Sequence, residues 1–187
     1  MKLQKVINII KKSTSIFLWK DDSGRYLLSN GVAAYDVSGF PYIESESELA
    51  AVLGIDKVDD HVFSITDIPQ IIKDCMIGER LSAIPKAITI CFDGTEFALL
   101  EAGGTLYPVD SKYLRPFGDD DLFYFKPIAG GAGVFLVGGL DISGYIMPAT
   151  ISDTVYSEIK NISNRGLWGI KNVKEEINTK NDIIGEE

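Results

Sequence analysis

Short apolar and aromatic runs separated by tight-turn residues constrain this chain more than any other feature. Ser15 to Lys20 is followed by Asp22-Ser23-Gly24, Arg25 to Ser29 by Asn30-Gly31, and Val32 to Val37 by Ser38-Gly39-Phe40-Pro41. Asn-Gly accommodates two successive positive-φ residues, the geometry that lets a two-residue turn follow strand twist. The stretch therefore reads as a three-stranded antiparallel meander. The pattern returns as Ala87 to Phe92, Asp93-Gly94, Glu96 to Glu101, Gly103-Gly104 and Thr105 to Val109. A third meander runs through Leu122 to Lys126, Val134 to Val137 and Leu140 to Met147, with Gly130-Gly131-Ala132-Gly133 as a hairpin tip.

Helical signals fall between these runs. Leu3, Val6, Ile7 and Ile10 make one apolar stripe, so residues 2–12 read as a helix with Lys5 and Lys12 turned away from it. Ser45 or Ser47 can cap a helix through Leu53, with Gly54 as its stop. Val62 to Ile65 reads as a strand. Ile68 to Met76 reads as a helix capped by Asp67 with Pro69 in its first turn, and Gly78 and Pro85 bracket a connector. Asp110-Ser111 opens a helical turn over Lys112 to Phe117 that Pro116 keeps short. Ser152 or Asp153 caps a last helix carrying Val155, Ile159 and Ile162 on one face.

The meanders echo one another. Ile16 to Val37 aligns loosely with Ile88 to Val109, and Asp36-Val37-Ser38-Gly39 recurs as Asp141-Ile142-Ser143-Gly144. Either meanders converge on shared turn chemistry or one helix-plus-meander unit is duplicated. Two such units would pair their sheets edge to edge with both helices on one side. The expected fold is α+β, antiparallel meanders with helices on one face. A single domain is expected over residues 1–165, with an inserted acidic segment at 44–86 and a polar tail over 166–187.

Charge and composition limit the function classes. Lys and Arg number 18 against 27 Asp and Glu, a net charge of −9, which excludes a uniformly basic nucleic-acid binder. The distribution is uneven: residues 1–12 hold Lys2, Lys5, Lys11 and Lys12 and no acid. Further bases are Lys112, Arg115, Lys160, Arg165, Lys171 and Lys174, while acids gather at 44–60, 119–121 and the tail. Helices sharing a face would make that face locally positive, suited to phosphates without base readout. The alternative is ordinary solvated helix surfaces.

Few constellations carry chemistry. His61 is the sole histidine and Cys75 and Cys91 the only cysteines, which is too few for a disulfide framework or a clustered Cys/His metal site. Asp119-Asp120-Asp121 reads as a solvated loop before a strand, and the 130–133 glycine run lacks the Lys-Ser/Thr of a phosphate loop. The start has no signal-peptide run and no membrane-length apolar stretch appears, so a cytoplasmic protein is expected. The expectation is a non-enzyme with no catalytic residues, metal or cofactor.

Two segments resemble known families. Tyr26-Leu27-Leu28-Ser29-Asn30-Gly31-Val32-Ala33-Ala34-Tyr35 resembles a hairpin of small prophage-encoded proteins. Val109-Asp110-Ser111-Lys112-Tyr113-Leu114, followed by a meander closing in Gly144-Tyr145-Ile146-Met147-Pro148, resembles the repeating unit of the bacterial DNA polymerase sliding clamp. That resemblance implies α+β units with helices facing duplex DNA and strands outside, no catalysis, and a replication protein as partner. It places Lys5, Lys12, Lys112 and Arg115 on the DNA-facing helices. The competing readings are a protein–protein interaction module using an acidic surface or sheet edges, with DNA mimicry as one form, and an enzyme whose site the sequence does not reveal.

Overall fold

The computed structural model describes residues 1–21, 23–128, 133–139 and 141–164. The tail, including Arg165, Lys171 and Lys174, lies outside the described residues, as do positions 130–132 of the glycine run. In chain order the elements are α1 (Leu3–Ile10), β1 (Ser15–Lys20), β2 (Tyr26–Ser29), β3 (Ala33–Asp36), α2 (Glu46–Leu53), a 3-10 turn (Val58–Asp60), β4 (Val62–Asp67) and α3 (Gln70–Met76). There follow β5 (Leu81–Phe92), β6 (Thr95–Ala102), β7 (Thr105–Asp110), α4 (Ser111–Leu114), β8 (Leu122–Pro127), β9 (Gly133–Gly138), β10 (Ile142–Ile146) and α5 (Asp153–Asn164).

All ten strands join one sheet in the order β4-β1-β2-β3-β10-β9-β8-β5-β6-β7. Every pairing is antiparallel except β1 with β4. The fold is therefore α+β, as the turn chemistry predicts.

Two units with the same order of elements meet at its centre: α1-β1-β2-β3 and α4-β8-β9-β10. They join through β3 and β10, where Ala33, Ala34 and Tyr35 stand opposite Ile146, Tyr145 and Gly144. The Asp-x-Ser-Gly echo marks these joined edges. The partner of the first meander is thus the 122–146 meander. The unit of residues 88–109, which the looser alignment matches to it, lies at the far end of the sheet.

Alternation along the strands makes a core on each face. Leu28, Tyr35, Phe135, Val137, Leu100 and Ala102 face one way and bury Val6 and Ile10 of α1, Leu49 of α2 and Tyr113 of α4. Leu27, Ala34, Leu136 and Tyr145 face the other and pack on Ile72 and Cys75 of α3. Phe97 and Leu99, alternating with Leu100 on β6, hold Ile159 of α5. The helices of the two central units share one face, and α3 and α5 cover the other. Each such fully buried side chain contributes about 1.5–3 kcal/mol.

Local signals explain several boundaries. Ser45 accepts from the Glu48 amide while the Glu48 carboxylate accepts from the Ser45 amide, and Gly54 ends α2 at φ 65°. In segment 44–86, α2 fills the core and β4 extends the sheet. Two expectations within it fail. Asp67 ends β4 and does not cap α3, whose first flanking residue is Pro69. The expected connector between Gly78 and Pro85 belongs mostly to β5, which tolerates Pro85 because the pairing register shifts between Pro85 and Thr89.

Candidate nucleic-acid interface and an arginine-lined cleft

The residues expected to meet DNA belong to α1, α4 and the turns that end them. The Lys2 amide donates to the Pro116 carbonyl at 2.6 Å, which ties the start of α1 to the end of α4. Val6, Ile10, Tyr113 and Phe117 hold both segments on the same core. Lys5, Lys12, Lys112 and Arg115 are exposed on these two segments. Lys5, Lys12 and Arg115 enter no ion pair among the described residues.

Lys112 differs from the other three. Its ammonium lies 2.6 Å from Asp110 and over the Tyr113 ring, 4.7 Å from the centroid. Burial pulls its pKa down, but the Asp110 hydrogen bond and the charges of Tyr113 and Asp110 outweigh that, so the net direction is up. It is a committed cation, already partly neutralised. Lys160 is exposed on α5, on the opposite face from α1 and α4, and so does not join them.

The other chemistry-bearing residues have structural roles. His61 Nδ1 is 2.9 Å from the Ser13 carbonyl, which fixes that nitrogen as the donor, and the ring sits beside Phe63. Asp121 accepts from the Gly118 amide at 2.7 Å and closes the loop before β8. Cys75 is buried, and that burial pushes its pKa up.

A cleft of about 510 Å³ opens on the α3 side of the sheet. It draws Arg25 from just before β2, Asp36 from the end of β3, Met76 and Arg80 from the end of α3 and beyond, and Asp141 and Tyr145 from β10 and its approach. Arg25 Nε donates to Asp36 at 2.8 Å and its Nη2 donates to the Ile142 carbonyl, so one guanidinium bridges the β3–β10 seam. Asp36 also accepts from the Ser38 hydroxyl and amide. Arg80 Nη2 donates to the Met76 carbonyl at 2.8 Å. Tyr145, 1% exposed, has its hydroxyl beside the Arg25 guanidinium, and the O–H itself has no acceptor among the described residues. Its pKa is raised, first by burial, while Arg25 and Arg80 oppose the rise. It remains a protonated donor at neutral pH. No single stretch of sequence signals this cleft, since three distant segments build it.

These features define an α+β protein with one large, mostly antiparallel sheet and a lysine-bearing pair of helical segments on one face. No protein-family model, curated protein or solved structure matches the chain. Among the described residues no helix is long and apolar enough to cross a membrane.

Proposed function

We propose that this is a non-enzymatic, clamp-like protein of DNA metabolism that contacts duplex DNA through backbone phosphates. The observation that supports the reading is the shared placement of α1 and α4. Two units of like element order join through β3 and β10, and their helical segments lie on one face, linked from Lys2 to Pro116. Lys5, Lys12 and Arg115 supply the available cations, and Lys112 contributes weakly because Asp110 already holds it. Such contacts are sequence-independent and salt-dependent. The net charge of −9 keeps them weak and confines them to this face.

Fluorescence anisotropy with a labelled duplex of arbitrary sequence tests it. Binding is expected at low salt, with log affinity falling linearly against log salt by about 0.9 per phosphate contact. No binding at about 20 mM salt with all four cations intact sinks the proposal.

One observation favours a second reading, a protein–protein module that pairs through a sheet edge. β4 is an outermost strand and Val62 on it is 62% exposed. Concentration-dependent self-association, lost on Val62→Lys, would support that reading.

A further inference from the structure

We propose that the cleft between β2, β10 and the end of α3 binds a tetrahedral oxyanion, the phosphate group of a small molecule, through Arg80, Arg25 and the Tyr145 hydroxyl. This is a second site, on the α3 side of the sheet, and it does not depend on the reading of α1 and α4.

Three observations carry it. The first is the Tyr145 hydroxyl. Tyr145 is the most deeply buried residue lining the cleft, at 1% exposure; the Arg25 guanidinium lies beside its hydroxyl but can only donate, so the O–H has no acceptor among the described residues. A buried donor left without an acceptor is unfavourable. A residue facing a cavity removes that cost when a ligand accepts its proton.

The second is the pair of guanidiniums. Arg80 is half-buried and spends only one nitrogen, Nη2, on the Met76 carbonyl, which leaves Nε and Nη1 without a partner among the described residues. Arg25 spends Nε on Asp36 and Nη2 on the Ile142 carbonyl, leaving Nη1. A guanidinium presents its donors as a rigid fork suited to phosphate and carboxylate oxygens.

The third is the state of the acids. Asp36 and Arg25 offset each other's charge, so Asp36 does not repel an anion. Arg25 offers a donor more than a charge, and Arg80, in no ion pair among the described residues, is the cation of the site. Asp141 is exposed, at the rim. The unspent donors come from three separate segments and so approach from different directions, which suits the oxygens of a tetrahedral phosphate better than the two coplanar oxygens of a carboxylate. A cleft of about 510 Å³ is larger than phosphate alone requires, so the anion is expected to carry an organic group.

The test is isothermal titration calorimetry of the full chain with inorganic phosphate, with ionic strength held constant by sodium chloride. Saturable binding is expected. Arg80→Ala is expected to weaken it about tenfold or more, and Tyr145→Phe about fivefold. Tyr145→Phe keeps the buried ring and removes a hydroxyl whose O–H has no acceptor among the described residues, so the variant is expected to fold and to unfold at nearly the same temperature without phosphate. No saturation up to about 20 mM phosphate overturns the proposal, and so does unchanged affinity in both variants. Acetate binding as tightly as phosphate overturns the assignment to a tetrahedral anion.

Discussion

The Tyr35 hydroxyl donates to the main-chain carbonyl of Tyr113 at 3.0 Å, fully inside the protein. Tyr35 belongs to β3 of the first unit and Tyr113 to α4 of the second. The Tyr113 hydroxyl in turn accepts from Asn30 Nδ2 at 3.1 Å, so one residue of α4 is bound twice by the first meander. Tyr35→Phe keeps the ring and leaves the Tyr113 carbonyl unpaired. A loss of about 1–3 kcal/mol is expected in urea unfolding, with no change in the dependence on denaturant. A loss below about 0.3 kcal/mol would mean the hydroxyl does not join the units.

Gly144 stands opposite Tyr35 on the seam, and a Cβ there would collide with the Phe117 ring. The Phe117 ring also lies 5.7 Å from that of Tyr35. Gly144→Ala therefore overpacks the seam and is expected to cost about 1–3 kcal/mol. Adding Phe117→Leu should return part of that loss, a coupling that thermal unfolding of the single and double variants measures. Strictly additive effects would place the collision elsewhere.

The α2 cap carries a pH dependence. Backbone amides of Glu44 and Ser45 and the Ser45 hydroxyl hold the Glu48 carboxyl below its ordinary value of 4.5. Because the folded value is depressed, the contribution is complete above 4.5 and is lost as pH falls through the folded value. Ser45→Ala is expected to cost about 1 kcal/mol near neutral pH. Glu48→Gln should destabilise near neutral pH and differ little from the parent at about pH 2, read from urea midpoints. An equal difference at both pH values would remove Glu48 from the cap.

Among the proposed DNA contacts, Lys112 should matter least. Its ammonium is already shared with Asp110, so Lys112→Ala is expected to shift the salt slope by well under one, whereas Lys5→Ala and Arg115→Ala each lower it by about one. Equal effects from all three would show that Asp110 does not restrain Lys112.

Turn chemistry made most of the sheet readable from sequence. Asn30-Gly31, Asp93-Gly94 and Gly103-Gly104 each close a hairpin, and every one of those glycines has positive φ. Ser45 and Gly54 likewise bound α2 because capping is local. Relations set by distant packing were not readable. Nothing near Val62 announces a parallel pairing with β1, and Pro85 reads as a break until the register shift beside it is known. For the site, the exposed lysines were visible as charge, but the Asp110 partner of Lys112 and the opposite face of Lys160 were not. Arg25, Arg80 and Tyr145 become neighbours only through the β3–β10 seam and the packing of α3.

That seam also governs the order in which the molecule can be made. β3 is complete soon after the first helix, but the strand that covers its edge is β10, the last strand synthesised among the described residues. During translation the first meander must wait with an open flank for nearly the whole sheet to emerge. The nascent chain is thus exposed to mispairing at a place the finished protein hides. A gene carrying only the first meander would be expected to yield aggregates rather than a half-sized domain.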